Sequence, residues 1–310
     1  MRGINLIPAD TNLNFMSLKK VFFVISAIIV LGSIGLYTAN GLNYGIDFKG
    51  GILMEIKTTD GPADIGSMRG KLSGLGLGDV SLQEFGAPNE IMITVQAQEG
   101  GASAQATAIE SIKNALGEKI EYRRTEFVGP KISDELFLDG IYAVGAAIFA
   151  ILLYIWFRFE WQFGLGAVAA LVHDVISTIG IFALLGMEFN LTTVAAVLTI
   201  AGYSINDTVV VFDRVRENLR RYKTLPLAEL LNKSINETLS RTIMTSVTTL
   251  LALLALYILG GEVIRGFSFA MIWGILIGTY SSICLAVPLL LYLDIQRRSG
   301  VDQNEQEATA

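Results

Sequence analysis

The sequence predicts a polytopic α-helical membrane protein with one α+β extramembrane domain, and three observations lead to that fold class. First, 52% of the 310 residues are hydrophobic and only 17% are charged, with a mean hydropathy of +0.52. Soluble domains carry about 25% charged residues and rarely have a positive mean hydropathy. Second, the apolar residues gather into six runs of about 20 residues, the length that a bilayer core requires. Third, the one long stretch without such a run, residues 40–133, alternates short strand-like and helix-like patterns.

The first run covers 21–39. Lys19 and Lys20 precede it, but it is as long as a full span and has no small-residue cleavage site in register, so it reads as a retained helix. In the extramembrane segment, 52–57 alternates as a strand. Residues 62–75 read as a helix, with Pro62 near its start and Gly76 beyond its end. Strands follow at 80–85 and 91–95, joined by a Gly-Ala-Pro-Asn turn. A helix over 104–116 is stopped by Gly117, and a last strand covers 120–128. The order β-α-β-β-α-β is that of a ferredoxin-like domain. Such a domain offers an antiparallel sheet for docking another chain, and nothing in it resembles a catalytic site.

Five further runs complete the predicted bundle, at 136–157, 163–185, 191–212, 239–259 and 267–293. Between the fourth and fifth, Thr224 can cap a helix beginning at Pro226, with Leu227, Leu230, Leu231 and Ile235 recurring on one face. This predicts a cytoplasmic amphipathic connection near 213–238, with a helix lying along the inner leaflet. The polar tail, 297–310, reads as disordered. The expected divisions are therefore 1–39, 40–133, 134–296 and 297–310.

Lys and Arg set the orientation. Lys19 and Lys20, Arg158, the group Arg214, Arg216, Arg220, Arg221, Lys223 and Lys233, and the pair Arg297 and Arg298 all fall on one side of a six-span chain. The opposite turns hold only Arg265. Both termini are then cytoplasmic, and 40–133 lies outside the cytoplasm.

Several function classes are excluded. A net charge of −6 with no basic face argues against a nucleic-acid partner. Cys284 is the only cysteine, so no intramolecular disulfide forms. There is no GxxxxGK[ST] motif. Gly74, Gly76 and Gly78 form a G-x-G-x-G in a short external turn, which reads as a loop. No Cys/His cluster suits a metal, and a lone buried His supports no Ser-His-Asp set. The expectation is a non-enzymatic protein without a cofactor, whose energy comes from an ion gradient or a partner.

Asp207 and Arg241 are the leading candidates for chemistry. Each lies within or near the cytoplasmic half of a predicted span, where a charge costs at least about 2.5–3.5 kcal/mol. Spans four and five are antiparallel neighbours, so the two residues can sit at similar depth and face each other. Asp can release its proton and Arg cannot, which suits a proton carrier with a switchable partner. A fixed structural salt bridge is the competing reading. Ser204, Asn206, Thr245, Ser246, Thr248, Thr249, Thr279, Ser281 and Ser282 surround the pair in sequence and offer a hydrated path, or else bond to their own helices. His173, the only histidine, and Asp174 lie inside span three; a proton relay and a packing role both remain open. Gly274 and Gly278 form a GxxxG that reads as a close helix contact. Asp213 and Arg214 read as anchors at the water boundary.

Five stretches then carry a resemblance. They are GLNYGIDFKGG at 41–51, FVGP at 127–130, WFRFEW at 156–161 followed by VHDV at 172–175, GYSINDTVVVFDRVREN at 202–218, and SRTIMTSVTT at 240–249. Together they resemble the SecD/SecF family of the resistance-nodulation-division superfamily. Chain length, the single modest external domain and the fourth stretch favour the SecF branch over the SecD branch. The resemblance implies six helices forming half of a superfamily bundle, and a role in the Sec pathway of preprotein export. It implies SecD as partner, with the SecYEG channel, and YajC and YidC as further candidates. It also implies contact with membrane lipid and with unfolded preprotein on the outer face, driven by the proton-motive force. The family's membrane-embedded acidic residue matches Asp207 and its partner arginine matches Arg241; a further acidic residue comes from SecD. A small-molecule efflux transporter of the same superfamily and a passive translocase assembly factor are the alternatives.

The charge asymmetry makes a direct prediction. Topology reporters fused at Gly100 and at Arg221 should report opposite sides of the membrane, and finding both on one side contradicts the six-span arrangement.

Overall fold

The computed structural model describes residues 11–261, 264–293 and 295; the tail expected to be disordered, 297–310, lies outside them. Among the described residues, six helices are long and apolar enough to cross a membrane. The chain forms two compact units. One holds the described residues up to Gly41, then Ala146–Gly186 and those from Ala195 onward; the other holds Leu42–Gly145 and Met187–Val194.

In the second unit, β2 (Gly51–Thr58), α3 (Ile65–Ser73), β3 (Val80–Phe85), β4 (Ala87–Val95), α4 (Gly101–Leu116) and β5 (Ile120–Val128) follow the β-α-β-β-α-β order read from sequence. The antiparallel sheet has the order β3-β4-β2-β5. Strand alternation explains its core. Ile52, Met54 and Ile56 of β2 and Ile91, Ile93 and Val95 of β4 share one face and are buried with Leu72 of α3 and Ala108, Ile112 and Leu116 of α4.

Several boundaries shift by a few residues from expectation, and two of the shifts have a clear local cause. Helix α3 starts at Ile65 rather than Pro62, because the Asp64 carboxylate accepts a hydrogen bond from Ser67 N at 3.0 Å and caps it there. The turn between β3 and β4 contracts to Gly86, at φ 81°, so Ala87, Pro88 and Asn89 belong to β4. Pro88 has no N–H to offer a ladder, and the β2–β4 pairing begins only at Glu90. Three short elements had no counterpart in the sequence reading. They are β1 (Asn43–Tyr44) and β6 (Glu188–Phe189), which pair in parallel, and the short helix α2 (Ile46–Lys49) just after β1.

The membrane-length helices are α1 (Lys19–Asn40), α5 (Pro130–Arg158), α6 (Trp161–Leu185), α7 (Leu191–Arg221), α8 (Leu227–Leu259) and α9 (Arg265–Ser281). Helix α9 continues through a π turn, Ser282–Ala286, into Val287–Leu289. Pro288 accounts for the π turn: it lacks the N–H that would bond the carbonyl of Cys284, and its ring crowds that carbonyl.

The separate interfacial helix expected near 213–238 is not present. Helix α7 runs on to Arg221, and α8 runs unbroken from Leu227 with Pro226 as its cap and no side-chain capping bond. The apolar face that suggested lipid contact is instead protein core. Leu230, Leu231 and Ile235 are buried with Phe163, Phe212 and Val215. The polar side of the same region is paired. Arg214 Nε meets Glu237 Oε2 at 2.6 Å, Asn218 Nδ2 donates to Glu237 Oε2 at 2.8 Å, and Arg158 Nη2 meets Asp213 Oδ2 at 2.7 Å. The segment before α1 is tied to the same helix: Asn236 Oδ1 accepts from Leu13 N at 2.8 Å and its Nδ2 donates to Leu13 O at 2.9 Å.

Glycines set two close helix approaches. A Cβ on Gly274 of α9 would overlap Ile200 of α7, and one on Gly278 would lie 3.3 Å from the Ser204 Cβ. The GxxxG is therefore the contact line between α7 and α9. Gly180 of α6 likewise leaves no room beside Ser33 of α1.

Candidate functional site

The close approach of α9 to α7 brings polar side chains together inside the helical unit. Asp174 of α6 is fully buried. Its Oδ2 accepts from Ser204 Oγ of α7 at 2.5 Å and from Ser281 Oγ of α9 at 2.8 Å. Its Oδ1 lies 2.9 Å from His173 Nδ1. Three helices thus converge on one carboxylate. Neighbouring bonds extend the polar seam. Thr208 Oγ1 lies 2.9 Å from Ser282 Oγ, Trp273 Nε1 donates to Ser177 Oγ at 3.0 Å, and Ser246 Oγ lies 2.7 Å from Thr279 Oγ1.

Asp207 sits on α7 one turn beyond Ser204, where the carboxylate is buried at 3% exposure. Among the described residues, its Oδ2 has no hydrogen-bond partner. Arg241 of α8 is near enough for its charge to act on Asp207, yet among the described residues no salt bridge joins the two. Arg241 itself is exposed. Asp174 and Asp207 are therefore opposites: one carboxylate has its oxygens met by donors from three sources, and the other keeps a buried oxygen unmet. An unmet buried carboxylate oxygen is costly while charged, and binding a proton relieves the cost. Asp174 is thus a fixed hub of the polar seam, while Asp207 holds a buried oxygen outside that network.

The other sequence candidates separate accordingly. Ser204 was grouped with Asp207 but bonds Asp174 instead. His173 and Asp174 bond each other, although adjacent helix residues diverge, because the imidazole folds back onto its neighbour; His173 Nε2 stays buried without a partner. Thr245 Oγ1 donates to Arg241 O at 3.1 Å and Thr248 Oγ1 to Met244 O at 2.8 Å, so both bond their own helix. Asn206 is on an exposed side of α7. The Trp273–Ser177 bond was not foreseen. It joins residues 96 apart, and no sequence period signals it.

Comparison with known proteins places this geometry. The family model "Protein export membrane protein SecD/SecF, C-terminal" matches residues 108–296, and the "SecD/SecF GG Motif" matches 38–61. Protein translocase subunit SecF of Cereibacter sphaeroides is 48% identical over 303 residues, covering 95% of this chain and 93% of its own. The subunit of the same name from Rickettsia rickettsii is 46% identical over 297 residues, covering 93% and 94%. Among solved structures, SecDF from a Thermus species, described as a translocon-associated membrane protein, superposes with a TM-score of 0.83 at 38% identity over 93% of this chain. SecDF in a super-membrane-facing form gives 0.69 at 36% identity over 99%. The chain spans 39% and 41% of those two longer chains.

The Asp174 hub makes a stability prediction. Asp174→Leu leaves Ser204 Oγ and His173 Nδ1 without this partner, at about 1–3 kcal/mol for each group left unpaired, while Ser281 Oγ keeps the Gly278 carbonyl as acceptor. Asp174→Asn keeps the volume and one acceptor oxygen. Thermal unfolding in mild detergent should show a large fall for the Leu variant and a smaller one for Asn; equal melting of both and the parent would remove Asp174 from its place as hub.

Proposed function

Since the chain belongs to the SecD/SecF family of protein export membrane proteins, we propose that it is an accessory subunit of the Sec translocase. It pairs with SecD and promotes preprotein movement through SecYEG, using the proton-motive force. The protein lies in the bacterial inner membrane with both termini in the cytoplasm. The sheet and its two helices form a ferredoxin-like domain on the outer side, where emerging preprotein is met. It performs no enzymatic reaction. Asp207 takes up and releases a proton in each working cycle, with Arg241 as its switchable partner.

One observation carries this reading: the buried Asp207 carboxylate has an oxygen without a partner while Arg241 stands near but unpaired. A strut would close that gap, because an ion pair in low dielectric is stable only in good geometry with its remaining lone pairs met. A residue that alternates between two partners leaves it open in one of its states. Exposed apolar side chains on α5, with Trp156 at 80% and Phe157 at 81% exposure, suit contact with lipid or with a second multi-span subunit.

Asp207→Asn preserves size and hydrogen bonding but cannot titrate. Export measured in membrane vesicles carrying this variant should fall to the level seen when the gradient is collapsed, while the protein still assembles with its partner. Arg241→Met should lose the same stimulation. Full gradient-driven export by Asp207→Asn would eliminate the proton role.

A further inference from the structure

The region matched by the GG motif has no part in the proton site, yet it makes a contact with the helix that bears it. Asp47 of α2 accepts a hydrogen bond at Oδ2 from Leu191 N, the first residue of α7, at 2.9 Å. The first N–H groups of a helix have no partner inside it. Asn190 meets another of them, through its Oδ1 and Thr193 N at 3.1 Å. Helix α7 is thus capped once by the residue just before it and once by a residue 144 positions away. A carboxylate also suits the positive end of a helix dipole.

The rest of the contact is tight. Gly45 N donates to Phe189 O at 3.0 Å, and β1 and β6 pair in register, Asn43 with Glu188 and Tyr44 with Phe189. A two-residue ladder does not hold alone. The rings of Tyr44, Phe48, Phe137 and Phe189 close around it, with centroids 5.9–6.2 Å apart. A Cβ on Gly45 would overlap the Glu188 carboxylate and crowd the Asn190 Cβ, so a larger residue there would have to displace the Glu188 side chain. Four positions after Asp47 the chain enters β2, a central strand of the sheet, through Gly50 and Gly51 at φ 69° and 129°. A Cβ on Gly51 would overlap the Val95 carbonyl of β4, which pins that entry to the sheet.

We infer that Asp47 is a positioning residue that ties the sheet to the start of α7, so that displacement of the sheet is passed along α7 to Asp207. The path is short and stiff: β2, the two glycines, α2, the Asp47–Leu191 bond, then one unbroken helix. Asp207 lies 16 residues along that helix from Leu191, about 24 Å. This rests on the reading of Asp207 as the coupled group, but its test does not depend on export.

The full chain in lipid nanodiscs is compared with Asp47→Ala, which removes the acceptor, and Asp47→Asn, which keeps one. Hydrogen–deuterium exchange is read separately in the peptide holding 191–197 and in the peptide holding 204–210. Asp47→Ala should raise exchange several-fold in both, and Asp47→Asn should restore most of the protection. Faster exchange confined to 191–197 would make Asp47 a local cap and overturn the inference, as would unchanged exchange in both peptides. Gradient-driven export is measured in parallel. Its loss in Asp47→Ala with folding retained supports the tie. A parent chain with no gradient response at all would reject the role of Asp207 while the exchange result still decides that of Asp47.

Discussion

A carboxylate inside a bundle of apolar helices must be met by donors or give up its charge, because low-dielectric surroundings penalise a bare ion by several kcal/mol. This chain places two such carboxylates close together and treats them differently. Asp174 is met by Ser204, Ser281 and His173, which draws α6, α7 and α9 onto one point. The absence of side chains at Gly274 and Gly278 makes that convergence possible, since bulk at either position would push α9 away from α7. Asp207, one turn further along α7, is left with a buried oxygen unmet. The first carboxylate fixes the scaffold, and that fixed scaffold is what keeps the second poised.

The same constraint orders the parts outside the helical seam. Helix α7 carries Ser204, Asp207 and Thr208 toward its middle, and its far end enters the ion-pair network of Arg214 and Glu237. Its first N–H is held by Asp47. The sheet contributes rigidity through its own core, in which β2 and β4 share one buried face against α3 and α4. The glycines at 50 and 51 set the direction in which that rigid sheet meets the chain leading to α7.

Much of this was legible in the sequence because the membrane signal is a matter of length and hydropathy, which neighbouring residues carry by themselves. The strands at 80–85 and 120–128 were found to the residue, since alternation and flanking glycines mark them. The region near 213–238 was misread because an apolar stripe has the same period whether it faces lipid or protein; only the packing of Leu230, Leu231 and Ile235 against Phe212 and Val215 distinguishes the two. Strands β1 and β6 are two residues long, too short for any period to show. At the site, sequence singled out titratable residues inside spans, of which His173, Asp174 and Asp207 are buried. It could not assign their partners, which lie 30 and 107 positions from Asp174. Ser204 lies near Asp207 on one face of α7, three residues before it, but its hydroxyl is taken by Asp174 of α6.

The central claim is that Asp207 works by changing its charge and not by bracing Arg241. Replacing both together, Asp207→Leu with Arg241→Leu, separates the two, since a buried pair that only braces can be exchanged for apolar residues without loss. Gradient-driven preprotein export is then measured in vesicles containing the doubly replaced chain and its partner subunit. The account predicts an assembled complex in which the gradient no longer stimulates export. Stimulation equal to that of the parent chain would contradict it.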